Sequence, residues 1–146
     1  QKETKEVRSM NTFSLKIIAC DKVFYDGECE MVIFPGYDGE MAVLANHEQM
    51  TTAIEVGEIR FRVPGEQDYR VAIVSDGLLK VDHNKVDILV YSAERPEDID
   101  AFRAEAAAER AREQMQQKQS IMEYHVSRSS LARAMARLRG RDKYIS

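Results

Sequence analysis

Asp100, Arg103, Ala107 and Arg110 recur at i, i+3, i+7 and i+10. On a helix that spacing gathers one carboxylate and two guanidinium groups on a single face. Arg133, Arg137 and Arg141 repeat at every fourth residue further along. Like charges so placed repel by about a few tenths of a kcal/mol per pair, so an anion between them would relieve the repulsion, although a solvated basic face accounts for them equally well. Guanidinium forks grip phosphate oxygens two at a time and stack on a base, which lysines do poorly. Two helices folded back on each other would assemble Arg103, Arg110, Arg133 and Arg137 around Asp100, a set suited to a planar polyanion.

Other chemistry is thin. No GxxxxGK[ST], HExxH, GxSxG or GxGxxG run is present, which excludes a phosphate-cradling loop and the commonest hydrolase and dinucleotide signatures. Ser75, Asp76 and His83 are a weak nucleophilic set, since they sit in and beside an expected hairpin turn. His47 next to Glu48 gives two candidate metal ligands without a third, and an exposed loop histidine is the better reading. No catalytic residue and no metal site are expected. Cys20 and Cys29 lack zinc-type spacing and are expected as reduced thiols. Met115, Met122 and Met135 fall at helical spacing to other apolar groups, either as ordinary packing or as an adaptable surface.

Two kinds of chain must position these residues. From Phe13 to Tyr91 short β-branched and aromatic runs alternate with turn chemistry at Asp26-Gly27, Pro35-Gly36, Asp38-Gly39, Pro64-Gly65, Asp76-Gly77 and Asp82-His83-Asn84. This pattern implies a β-sandwich or barrel. Beyond Pro96 neither Gly nor Pro appears until Gly140, and helix formers dominate. Pro96 with Glu97 and Asp98 reads as a helix start. The stretch from Gln114 to Arg128 has no strong breaker; Leu131, Met135 and Leu138 mark a second helix with Ser129 or Ser130 as N-cap, or a continuation of one long helix. A turn so weakly marked permits two arrangements close in free energy. The expected division is therefore residues 1–9 as a tag or disordered extension, 10–93 as a β-sandwich or barrel and 94–146 as the helical part.

Composition agrees with a globular chain of 146 residues, 44% hydrophobic and 32% charged. No apolar run reaches the roughly 18 residues of a membrane span. Residues 1–93 carry a net charge of −6 and residues 94–146 a net charge of +2. The basic stretch from Arg128 onward could meet nucleic acid, but the whole-chain charge of −4 argues against it.

Three motifs carry a family resemblance. Phe34-Pro-Gly-Tyr-Asp-Gly-Glu-Met-Ala-Val-Leu-Ala-Asn-His47, Ile73-Val-Ser-Asp-Gly-Leu-Leu-Lys-Val81 and Ile99-Asp100-Ala101-Phe102-Arg103-Ala104 resemble, in order and spacing, motifs of the epsilon-subunit family of bacterial F-type rotary ATP synthases. The resemblance runs from about Phe13 to Leu138. It implies a ten-stranded β-sandwich that grips the gamma subunit and rests on the c-subunit ring. It also implies a two-helix hairpin that folds beside the sandwich or extends toward the alpha and beta subunits, where it inhibits ATP hydrolysis. ATP is then a regulatory ligand, held by positions matching Glu94, Ile99, Asp100, Arg103, Arg110, Arg133 and Arg137, with no catalytic cofactor. Glu40 and His47 belong to the implied rotor-contact loop. Membrane attachment is expected only through the complex, peripherally, at the cytoplasmic face of the cell membrane.

The chain departs from the family at Ala45-Asn46-His47-Glu48-Gln49, where Pro-Gly-His-Ala-Pro is usual, at Met41-Ala42, and at Asp76, where many members carry Gly. The remaining reading is a free-standing nucleotide-sensing or nucleic-acid-binding β-plus-helix module.

Overall fold

The computed structural model describes residues 11–117 and 120–145; the expected tag or extension at 1–9 lies outside them. Ten strands come first: β1 (Phe13–Ile18), β2 (Val23–Cys29), β3 (Met31–Gly36), β4 (Gly39–Leu44), β5 (Met50–Ile54), β6 (Gly57–Arg62), β7 (Arg70–Val74), β8 (Gly77–Asp82), β9 (Lys85–Val90) and β10 (Ala93–Glu94). A 3-10 turn (Pro96–Asp98) leads into α1 (Ala101–Gln116) and α2 (Ile121–Ile145).

The strands form two five-stranded sheets, ordered β2-β1-β9-β8-β5 and β10-β7-β6-β3-β4. All pairings are antiparallel except β1 with β9, which runs parallel from Ser14 opposite Lys85 to Ile18 opposite Leu89. Strict alternation explains the sandwich. Phe13, Leu15 and Ile17 on β1, Leu79 and Val81 on β8, and Val86 and Ile88 on β9 point inward from the first sheet and are buried. Val32, Phe34, Ile59 and Phe61 meet them from the second. Each large side chain so buried contributes on the order of 1.5–3 kcal/mol.

Turn chemistry acts where expected at Asp82-His83-Asn84, a tight hairpin with φ of 50° at His83 and 58° at Asn84 and Asp82 paired with Lys85. The Asn84 amide donates to the Thr12 carbonyl at 2.9 Å and accepts from the Asn46 backbone N–H at 2.7 Å, tying three loops together. Two expected turns are strand instead. Asp26-Gly27 lies inside β2, opposite Lys16 and Leu15, and Pro35-Gly36 ends β3, with the chain reversing between Gly36 and Gly39.

The helical part starts later than Pro96 suggests. That proline opens only the 3-10 turn; Ile99 is extended, and Asp100 is the N-cap of α1, accepting from the Arg103 backbone N–H at 3.2 Å. α2 begins well before Ser129 and Ser130. Ser120 and Glu123 form a reciprocal capping box, in which the Ser120 hydroxyl accepts from the Glu123 N–H at 3.1 Å and the Glu123 carboxylate from the Ser120 N–H at 3.3 Å. The break between the helices thus falls after Gln116, and the chain is a hairpin rather than one long helix. Small residues close the helix pair: Ala104, Ala108 and Ala111 on α1 are buried, as are Ser127 and Ala134 on α2, while Leu131, Met135 and Leu138 are only half-buried.

Candidate functional site

The site expected from sequence is split by the structure into a docked half and an open half. Glu94, at the last strand position of β10, faces outward because its neighbour Ala93 is turned into the core. Its carboxylate accepts two hydrogen bonds from Arg137 of α2, 2.7 Å from Nε and 3.0 Å from the terminal nitrogen. Both side chains are about a quarter exposed, at 26% and 29%, so this charge-assisted fork is worth more than a surface pair. One turn further along α2, Arg141 Nε donates to the Ile99 carbonyl at 3.1 Å. Ile99 itself is buried. Glu94, Ile99 and Arg137 are therefore brought together, with Arg141 as a fourth member that sequence reading treated only as part of a basic stripe.

The open half lies on α1. Asp100 caps the helix, so it stands at the helix end instead of on the stripe, and Arg103 reaches back to it at 3.7 Å. Arg103 and Arg110 are exposed, and Arg110 has no ion pair or side-chain hydrogen bond among the described residues. On α2, half-buried Arg133 donates to the Ser130 hydroxyl at 3.2 Å. Arg103 and Arg110 project into solvent from one helix, Arg103 with a long ion pair to Asp100, while Arg133 and Arg137 are tethered on the other. Chemically, the arrangement offers guanidinium donors for an anion, beside the carboxylates of Glu94 and Asp100 and the Ile99 carbonyl that Arg141 holds.

The remaining candidates disperse. Glu40, the second residue of β4, pairs with Arg60, both carboxylate oxygens 3.1 Å from its terminal nitrogen. His47 lies in the loop beyond the other end of that strand, its Nδ1 2.7 Å from the Glu48 carbonyl. No group of metal-ligating side chains forms among the described residues. The nucleophilic set fails on geometry: Ser75, 2% exposed, has its hydroxyl engaged by the Ser92 N–H at 2.8 Å, and His83 sits beyond the far end of β8, paired with Asp82 at 2.6 Å. An extended strand of that length holds the two roughly 20 Å apart or more. Both cysteines are free, Cys20 exposed and Cys29 buried.

A cleft of about 860 Å³ opens elsewhere, lined by Tyr25, Phe61, Tyr69, Arg70, Arg95 and Tyr144 among others. Its arginines are already engaged, Arg95 with Asp98 at 2.9 Å and Arg70 with Glu66 at 2.6 Å. The hydrogen-bonded carboxylate of Glu66 raises the Arg70 guanidinium pKa and is itself lowered by it.

Another exposed feature belongs to the first sheet. Ile18, Leu89, Leu78 and Ala53 are successive cross-strand partners over β1, β9, β8 and β5, and Val23 of β2 pairs with Ile18 at the edge. Because the neighbours of Leu78 and Leu89 point into the core, these two point out, 52% and 51% exposed. The result is an apolar row across the uncovered face of the sheet.

Comparison with known proteins matches both parts of the chain. The family model described as ATP synthase, delta/epsilon chain, beta-sandwich domain covers residues 12–96, and that described as ATP synthase, delta/epsilon chain, long alpha-helix domain covers 97–139. A protein of Ruminiclostridium cellulolyticum named ATP synthase epsilon chain is 46% identical over 88% of this chain and 95% of its own length. One of the same name from Caldicellulosiruptor saccharolyticus is 38% identical over 89% and 93%. Among solved structures, a chain of the Euglena gracilis mitochondrial ATP synthase, OSCP/F1/c-ring, superposes with a TM-score of 0.73 at 22% identity, over 86% of this chain and 79% of that one. A chain of the Tetrahymena thermophila mitochondrial ATP synthase central stalk and c-ring gives 0.65 at 10% identity, over 88% and 95%. At those identities the structural likenesses bear on the fold.

Proposed function

The chain belongs to the ATP synthase epsilon-chain family, non-catalytic central-stalk subunits of that complex, and from that membership we propose that it couples the rotor to the catalytic head and restrains ATP hydrolysis through α1 and α2. The sandwich is the rotor-bound part, joined to the gamma subunit and resting on the c-subunit ring near Glu40 and His47. The observation that carries this reading is the apolar row Ile18-Leu89-Leu78-Ala53. A monomer has little reason to display a contiguous apolar row with two half-exposed leucines at its centre unless another protein covers it. The helices cover the other sheet, where α2 rests on β6 and β7.

Inhibition follows if the helices leave that seat and reach the alpha and beta subunits. ATP is the regulatory ligand of the folded hairpin, with Arg103 and Arg110 on its phosphates or base, Arg133 and Arg137 closing from α2, and Glu94, Ile99 and Asp100 orienting it. A ligand that spans both helices favours the folded arrangement only by its differential affinity for it. The subunit reaches the cytoplasmic face of the membrane through the complex; no helix of the described residues is long and apolar enough to cross one.

Reconstitution tests the reading. Adding the full chain to ATP synthase stripped of its epsilon subunit should restore coupled synthesis and lower hydrolysis. A chain that neither joins the stripped complex nor changes its rates overturns the assignment.

A further inference from the structure

α2 meets the sandwich along one line, and the two sides of that line have matching periods. On the sheet, Glu94, Ile73 and Glu58 are cross-strand partners on β10, β7 and β6. On the helix, Arg137, Gly140 and Lys143 are spaced three residues apart. Arg137 holds Glu94 at 2.7 Å, Gly140 lies against Ile73, and Lys143 Nζ holds Glu58 at 3.0 Å. Three helical residues advance about 4.5 Å, and neighbouring strands lie about 4.7–4.9 Å apart. α2 therefore crosses the strands with one contact per strand.

Gly140 is the informative member. Apart from proline, glycine is the least favourable residue inside a helix, so its place in the interior of α2 calls for a reason. A Cβ built there would stand 2.6 Å from Ile73 Cγ1 and closer still to its Cδ1. Ile73 is 3% exposed, and its β-branched side chain has few rotamers to retreat into. One turn earlier, Arg133, Ala136 and Arg139 repeat the order basic, small, basic. Charge alone thus allows a slipped seat, and only the missing methyl at Gly140 distinguishes the true one.

We propose that Arg137-x-x-Gly140-x-x-Lys143 is the docking code by which α2 recognises the Glu94-Ile73-Glu58 row, with Gly140 fixing the register. The code rests on the reading of α2 as a segment that leaves and regains the sandwich, and it names what decides whether α2 is seated. Arg141 on the Ile99 carbonyl then ties the seated end of α2 to the start of α1.

Hydrogen exchange on the isolated full-length chain, without nucleotide, tests the code apart from any effect on hydrolysis. Gly140→Ala should raise helix content slightly while exchange of the amides of residues 131–145 speeds up by about tenfold or more, the equivalent of about 1.4 kcal/mol. Exchange in β1 and β9 should stay at the wild-type rate. Glu94→Arg should loosen α2 likewise, and adding Arg137→Glu should restore its protection. Unchanged α2 protection in Gly140→Ala, or a charge swap that fails to restore it, overturns the proposal.

Discussion

Glu94 and Arg137 lie 43 residues apart in sequence and are locked fork to fork, carboxylate against guanidinium, at 2.7 and 3.0 Å. The pair spans the boundary between strand and helix, so whatever disturbs it is felt in both parts. It also means that an anion arriving at the arginine set finds Arg137 already committed to a close fork, whereas on α1 Arg103 is held only by a 3.7 Å ion pair to Asp100 and Arg110 stands exposed.

From this asymmetry the exposed arginines of α1 should carry the recognition of ATP. The isolated chain should bind ATP in preference to ADP and leave it unhydrolysed. Arg103→Ala should remove a charge-assisted contact of about 1.5–3 kcal/mol, weakening binding by about tenfold to over a hundredfold in calorimetry. No heat at millimolar ATP, or equal affinity in the variant, would refute the site.

Removal of the chain from Pro96 onward should leave a folded sandwich, because its buried cluster is drawn from residues 13–93. The truncated subunit should still join the complex, and hydrolysis should run faster than with the full chain. An unchanged hydrolysis rate would show that the helices are not inhibitory.

Leu78→Asp combined with Leu89→Asp should spare the fold, since both side chains already face solvent, and should weaken assembly by more than 2 kcal/mol, about thirtyfold. Co-sedimentation with epsilon-depleted ATP synthase reads this directly. Undiminished binding would move the rotor contact to another face.

The two thiols should be sharply distinguishable. Burial pushes the Cys29 thiol from its ordinary 9.0 up to about 11, and its Sγ donates to the Met31 carbonyl at 3.1 Å. At pH 8 a disulfide reagent should titrate only exposed Cys20 quickly and both thiols after unfolding. A thiol pKa raised by folding favours the neutral form, so its stabilising contribution is complete below pH 9 and is lost as the pH climbs toward 11. Two fast thiols in the native chain would contradict this burial.

The sandwich was readable because its strands alternate and its tightest turn carries Asp82-His83-Asn84, residues that accept a positive φ. Asp26-Gly27 misleads because turn propensity is local, whereas β2 is held in strand by pairing with β1. The start of α2 is legible in Ser120-x-x-Glu123, a capping box in plain sequence, although no Gly or Pro marks the turn before it. The Asp100 cap was readable in the same way. The grip of Arg141 on the Ile99 carbonyl was not, since a side chain bonded to a backbone atom 42 residues away leaves no pattern in residue types. The candidate site was therefore only half readable, in its arginines and not in their tethers.

The parallel pairing of β1 with β9 governs how this molecule can be made. During synthesis β1 leaves the ribosome before the other nine strands, yet its neighbour on one side is not complete until Val90 has been added. Until then β1 has only β2 beside it, and a two-stranded ribbon with one apolar face is marginal in water. The helical hairpin, by contrast, is built from contacts close in sequence and closes fast once made. Translation therefore exposes Phe13, Leu15 and Ile17 for most of the time the sandwich takes to emerge, the interval in which a nascent chain most needs a chaperone.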